Sequence, residues 1–160
     1  MNDTASDVLA AARQIEHLVP TPWDRAAFLL ELSLHRNRRL DLVAVDTPTF
    51  TDFACGLWLE FEDRDEIVYQ RGAPDYQVDQ TVLHEVGHML LGHHGSVGPE
   101  PALAALFPDI DLTTLTSVMN RSSFDDDQEG DAEMFADLVM SARVSRYRRS
   151  SAMDDFMGIS

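Results

Sequence analysis

The stretch Val82-Leu83-His84-Glu85-Val86-Gly87-His88-Met89-Leu90-Leu91 sets two histidines four residues apart inside an apolar run. The apolar spacing predicts a helix, and on a helix positions i and i+4 share a face one turn apart. Two imidazoles so placed can close on a single divalent cation, with Zn²⁺–N bonds of about 2.0–2.1 Å. Glu85 directly follows the first histidine and is placed to take a proton from water. The HExxH pattern therefore points to metal-assisted hydrolysis, most often of a peptide bond. A pattern with three fixed letters also arises by chance, on a helix that merely carries two surface histidines. Three local facts argue against that. The histidines interrupt an apolar run, where an uncompensated polar side chain is costly. Four of the six histidines of the chain fall within His84–His94. Gly87 costs a helix about 1 kcal/mol relative to Ala, and close approach of another backbone would account for it.

Outward from this helix, the signals alternate between periods. Upstream, Val8, Leu9, Ala12, Ile15 and Val19 repeat at helical spacing after Ser6 and Asp7, and Pro20 ends that run. Thr21 as N-cap and Pro22 at the first helical position predict a second helix to about Arg36. Residues 40–46 alternate and read as a strand, as do 55–61 and 66–70, with a polar turn over 62–65. Residues 71–74 are a loop. The metal helix is expected from Tyr76 or Gln77 to Gly92 or Gly95. A linker at 98–101, a short helix over 102–107 and a short helix or turn over 111–119 follow. A last helix is expected from Asp125 to Tyr147. Helices, a small antiparallel sheet, then helices make an α+β fold. Residues 1–149 are read as a single domain and 150–160 as a loose tail.

Composition sets the boundaries. A chain of 160 residues with 44% hydrophobic content can bury one core. It contains no apolar run of about 18 residues, and its first residues carry no signal-peptide pattern. The single Cys55 cannot form an internal disulfide and reads as a small buried strand residue, which fits a cytoplasmic location. A net charge of −16 repels nucleic acid and anionic membrane, so direct binding to either is not expected. Two basic patches stand out, Arg36, Arg38 and Arg39, and Arg143, Arg146, Arg148 and Arg149. The second would sit at the end of the final helix and complement its dipole.

Two histidines do not hold a catalytic zinc; a third protein ligand is required, with a position left to water. The final helix offers Glu129 and Glu133, one turn apart, beside Ala132, Phe135, Ala136 and Val139. One can bind the metal while the other hydrogen-bonds the free nitrogen of a ligand histidine. Asp131 points about 200° away from Glu129 on a helix. A second source is His94, six residues after His88, where HExxHxxGxxH enzymes of the metzincin type place their third histidine. Leu91 stands where that pattern has glycine, while Ser117-Val118-Met119-Asn120 suggests its methionine turn. His93, off the metal-facing stripe, reads with His94 as an exposed helix-end residue.

With these motifs in view, the chain resembles the ImmA/IrrE-like zinc metallopeptidases over roughly residues 20–145. The resemblance rests on the order of elements, on His84-Glu85-Val86-Gly87-His88-Met89-Leu90-Leu91-Gly92-His93-His94, and on Glu129-Gly130-Asp131-Ala132-Glu133-Met134-Phe135-Ala136. Asp131 replaces that family's second glutamate and Glu133 its asparagine. The resemblance implies a zincin-like fold, with His84, His88 and Glu129 as metal ligands and Glu85 as general base. It also implies a cytosolic protease that cleaves a helix-turn-helix, DNA-binding repressor, and so a part in transcription regulation and stress response, often as a toxin–antitoxin-like component. Zn²⁺ is the default metal, and Mn²⁺ or Fe²⁺ can use the same ligands. Tyr76 is a candidate donor to the oxyanion. Two other classes compete with the protease. One is a metal-binding regulatory module with little turnover; the other is a scaffold whose zinc is closed by four protein ligands.

Overall fold

The computed structural model describes residues 4–46, 56–93, 107–119 and 126–156. Helix α1 (Thr4–Ile15) buries Val8, Ala11 and Ile15, and a 3₁₀ turn (Glu16–Leu18) follows it. Helix α2 (Arg25–Arg36) begins later than the Thr21-Pro22 signal predicts. Its cap is Asp24, whose carboxylate accepts from the Ala27 amide at 3.0 Å and so satisfies a first-turn donor. Its far end turns on Asn37 in the left-handed region, φ 52°.

The sheet is mixed rather than antiparallel. Strands β1 (Arg39–Val45), β2 (Gly56–Phe61), β3 (Arg64–Gln70) and β4 (Leu115–Met119) lie in the order β1-β3-β2-β4. Strands β2 and β3 form the expected hairpin, tighter than predicted because β3 already begins at Arg64. Strand β1 runs opposite to β2, and the second arm of the hairpin lies between them. That places β3 parallel to β1, with Leu42 beside Ile67 and Val43 beside Val68. Residues 111–119 do not form a helix or a methionine turn. After a turn in which the Thr113 amide donates to Asp111, the β-branched end Leu115–Met119 pairs antiparallel with β2. Burial on both sides explains why Leu57, Trp58 and Leu59 read as a continuous apolar run.

Helix α3 (Asp75–Leu90) and helix α4 (Asp126–Phe156) complete the fold, which is α+β with four α-helices among the described residues. Trp58 and Ile67 on one sheet face join α1, α2, α3 and α4 in the main core. Leu57, Leu59, Phe61 and Val68 on the other face pack with Phe107, Leu115 and Val118. The α4 stripe Ala132, Phe135, Ala136 and Val139 is buried at helical spacing. Helix α4 continues past the expected end at Tyr147, because no Pro or Gly interrupts it before Gly158. Arg143, Arg146, Arg148 and Arg149 therefore lie within the helix and not at its end. Cys55, residues 102–106 and His94 lie outside the described residues. Among the described residues no helix is long and apolar enough to cross a membrane.

Candidate metal centre

Helix α3 delivers His84 and His88 to one side, and α4 delivers Glu129 to meet them. The two Nε2 atoms are 3.2 Å apart. Glu129 turns one oxygen to each, at 3.1 Å from His84 Nε2 and 3.3 Å from His88 Nε2. The three residues thus form a triangle, a group able to hold a metal ion, with one donor atom from each lying within 4.8 Å of the others. A tetrahedral ion with bonds of about 2.0–2.1 Å has ligand–ligand edges of about 3.3–3.4 Å, and the 3.2 Å between the two Nε2 atoms is close to one such edge. The donor types, two imidazoles and one carboxylate, suit a borderline transition metal.

The triangle depends on how closely the helices approach. A Cβ placed on Gly87 would lie 3.0 Å from Phe135 Cδ1 and 3.3 Å from the Ala132 Cα. The glycine in the motif is thus a hollow that receives the α4 backbone, as the sequence suggested. Ala132, small and fully buried, is the facing ridge. With α4 seated there, Glu129 comes within reach of the histidines one turn before Glu133.

Glu85, next in the same turn, packs against the start of β2 while lying close enough to Glu129 to feel its charge. A Cβ on Gly56, the first residue of β2, would lie 3.5 Å from Glu85 Oε1 and 2.3 Å from Thr81 Cγ2. Glu85 is buried, and its Oε2 has no hydrogen-bond partner. Burial, reinforced by the negative charge of Glu129, pushes its carboxyl up to about 8. His88 is pulled down to about 3 by burial and by the neighbouring His84 and His93 imidazoles. It is therefore neutral, the form in which an imidazole ligates metal.

Among the other candidates from the sequence, Asp131 and Tyr76 fall elsewhere. Asp131 lines a cleft beside α1 with Asp7, Leu90 and His93 and is not one of the three residues that converge. Glu133 is exposed. Tyr76 is 67% exposed at the first turn of α3, eight residues and so about 12 Å of helix before His84. The structure therefore does not bring it to the site. His93 reverses expectation: it is buried, and its Nδ1 is 2.9 Å from His88 Nδ1. Its sequence signal was Gly92 at the helix end. The residue after such a glycine folds back onto the residue five places earlier, which here is His88.

No protein-family model, curated protein or solved structure matches this chain.

Proposed function

We propose that the chain is a metal-dependent endopeptidase of zincin-like architecture, with His84, His88 and Glu129 as the ligands of Zn²⁺ and Glu85 as the general base. The observation that carries this reading is a three-donor triangle with a buried carboxylic acid directly beside its first ligand. Three protein ligands leave a coordination position for chemistry, whereas four would make the metal structural. When bound, the cation supplies a Lewis acid that polarises a scissile carbonyl and acidifies water. Glu85 accepts the proton of the attacking water and passes it to the leaving nitrogen. Its burial keeps bulk water from competing for that proton, and positive charge in the triangle favours its ionised form. His88, neutral and fully buried, turns its Nε2 toward His84 and Glu129.

The sheet offers a route for an extended substrate. Among the described residues, β4 pairs with β2 only, so its outer edge is open. Gly56 of β2 packs over Glu85, and β4 ends at that same end of the sheet, where Met119 pairs with Trp58. A peptide added to the β4 edge would be led toward the base, with main-chain hydrogen bonds holding it extended. The resemblance to ImmA/IrrE-like enzymes suggests that the peptide belongs to a cytosolic helix-turn-helix repressor. The net charge of −16 suits a basic partner of that kind.

The test is to incubate the zinc-loaded chain with helix-turn-helix repressors, beginning with any encoded near its gene, and to map new termini by mass spectrometry. Cleavage that a chelator stops and Zn²⁺ restores is expected. Metal content measured in the same sample separates the alternatives. A stoichiometric zinc with no cleavage would leave a regulatory metal-binding module as the better reading.

A further inference from the structure

We propose that His93 is a positioning residue, an imidazole that accepts the Nδ1 proton of His88 and thereby holds His88 Nε2 open as a metal ligand. This rests on the metal reading above and adds to it a residue outside the HExxH pattern.

The backbone builds the contact. Helix α3 stops in a double hydrogen-bonded reversal, in which the Gly92 amide donates to the Met89 carbonyl at 3.3 Å and the His93 amide to the His88 carbonyl at 3.0 Å. Gly92 makes this possible at φ +70°, a conformation that costs glycine little. In such reversals the residue after the glycine meets the residue five places before it, commonly through apolar side chains. Here both are histidines and both are buried, with Nδ1 atoms 2.9 Å apart.

One proton order is compatible with ligation. A neutral imidazole carries one N–H and one lone pair. If His88 Nε2 is to face the donor triangle with its lone pair, its proton sits on Nδ1 and must donate to His93 Nδ1. The proton of His93 then sits on Nε2. The cleft that His93 lines carries Asp7, Asp127 and Asp131, acidic side chains suited to accept from an imidazole N–H. The reverse order would point an N–H of His88 into the triangle and remove a ligand. Carboxylates and backbone carbonyls commonly orient metal-bound histidines. This pocket already buries Glu85 and Glu129, and an imidazole orients His88 without adding a third negative charge.

The experiment uses the full chain and Zn²⁺ in competition with a chromophoric chelator, with circular dichroism to confirm folding. His93→Phe removes the acceptor while keeping a ring, and His93→Gln restores a carbonyl acceptor. His93→Phe is expected to weaken zinc binding about 10–100-fold. His93→Gln is expected to recover most of that loss, and Co²⁺-loaded His93→Phe to show altered visible bands. If wild type itself binds no zinc, the metal reading falls, and this proposal with it. If wild type binds and His93→Phe binds equally tightly, the metal reading stands and the positioning role is refuted. Should His93→Phe fail to fold, nitrogen-15 NMR of the zinc-loaded wild type decides. A proton on His88 Nδ1 and on His93 Nε2 supports the proposal, and any other order overturns it.

Discussion

Asp65 and Glu85 are both buried acids, and their surroundings are opposite. Asp65 has no exposed surface, yet it accepts from Trp58 Nε1 at 3.1 Å, Arg36 Nη1 at 2.9 Å and Arg38 Nε at 3.0 Å. Arg38 reaches it by the same kind of helix stop that delivers His93. The Asn37 amide donates to Leu34 and the Arg38 amide to Ser33, and the guanidinium also binds the Arg64 carbonyl at 2.8 Å. Both carboxylate oxygens are paired there and the negative charge is fully compensated, so the cluster ties α2 to the sheet and is chemically quiet. Glu85 sits near a second carboxylate and two imidazoles, and one of its oxygens has no partner. A buried acid with matched cations is a structural tie. One without them is a place where an external cation lowers the energy.

That contrast can be broken most visibly at Glu85 itself. Glu85→Gln should keep the metal and lower peptide cleavage by about 10²–10⁴-fold, as loss of a general base does. Zinc stoichiometry and a cleavage assay on one preparation check both halves, and normal turnover would refute the assignment. At the other acid, Asp65→Ala should cost about 3–5 kcal/mol of stability by stranding Arg36 and Arg38, with zinc affinity per folded molecule unchanged. Chemical denaturation with chelator competition measures this.

The third effect is a pH dependence of the metal-free protein. Glu85 holds its proton to about 8 when folded, against 4.5 in the open chain, so stability falls as pH rises through that interval. His88 is held down to about 3 against 6.5, so its contribution is lost as pH falls below 6.5. The slopes oppose between about 4.5 and 6.5, giving a plateau that declines on both sides by at most about 1.4 kcal/mol per pH unit for each proton. Thermal melts across pH test this, and zinc should flatten the alkaline decline. Smallest of all, breaking the exposed pair between Arg71 and Asp46 with Asp46→Asn should change stability by less than about 1 kcal/mol.

What the sequence disclosed follows from what is local. His84, Glu85 and His88 were legible because helical period alone puts each on a known face, and Gly87 because a glycine inside a helix asks for a neighbour; period put Glu129 and Glu133 on one face, and the family resemblance chose Glu129. Strand β4 was not legible. Asp111-Leu112-Thr113-Thr114 looks like a turn, and only pairing with β2 makes its continuation a strand. The parallel placement of β1 depends on where a distant hairpin inserts, which no window of sequence carries. Arg36 and Arg38 read as a basic patch because their partner Asp65 is remote in sequence and is brought to them only by the pairing of β3 with β1. His93 read as exposed because the spacing rule for helices stops applying one residue after Gly92.

Gly87 has a consequence for anyone who would transplant this chemistry. A designer who grafts only the pentapeptide onto a foreign helix obtains two imidazoles and no third arm. The graft also needs a hollow one residue ahead of the second imidazole, and an alanine ridge on the incoming helix to fill it. The smallest residue of the motif, which donates no electrons to any ion, is the one that specifies the docking distance between the scaffold's two halves.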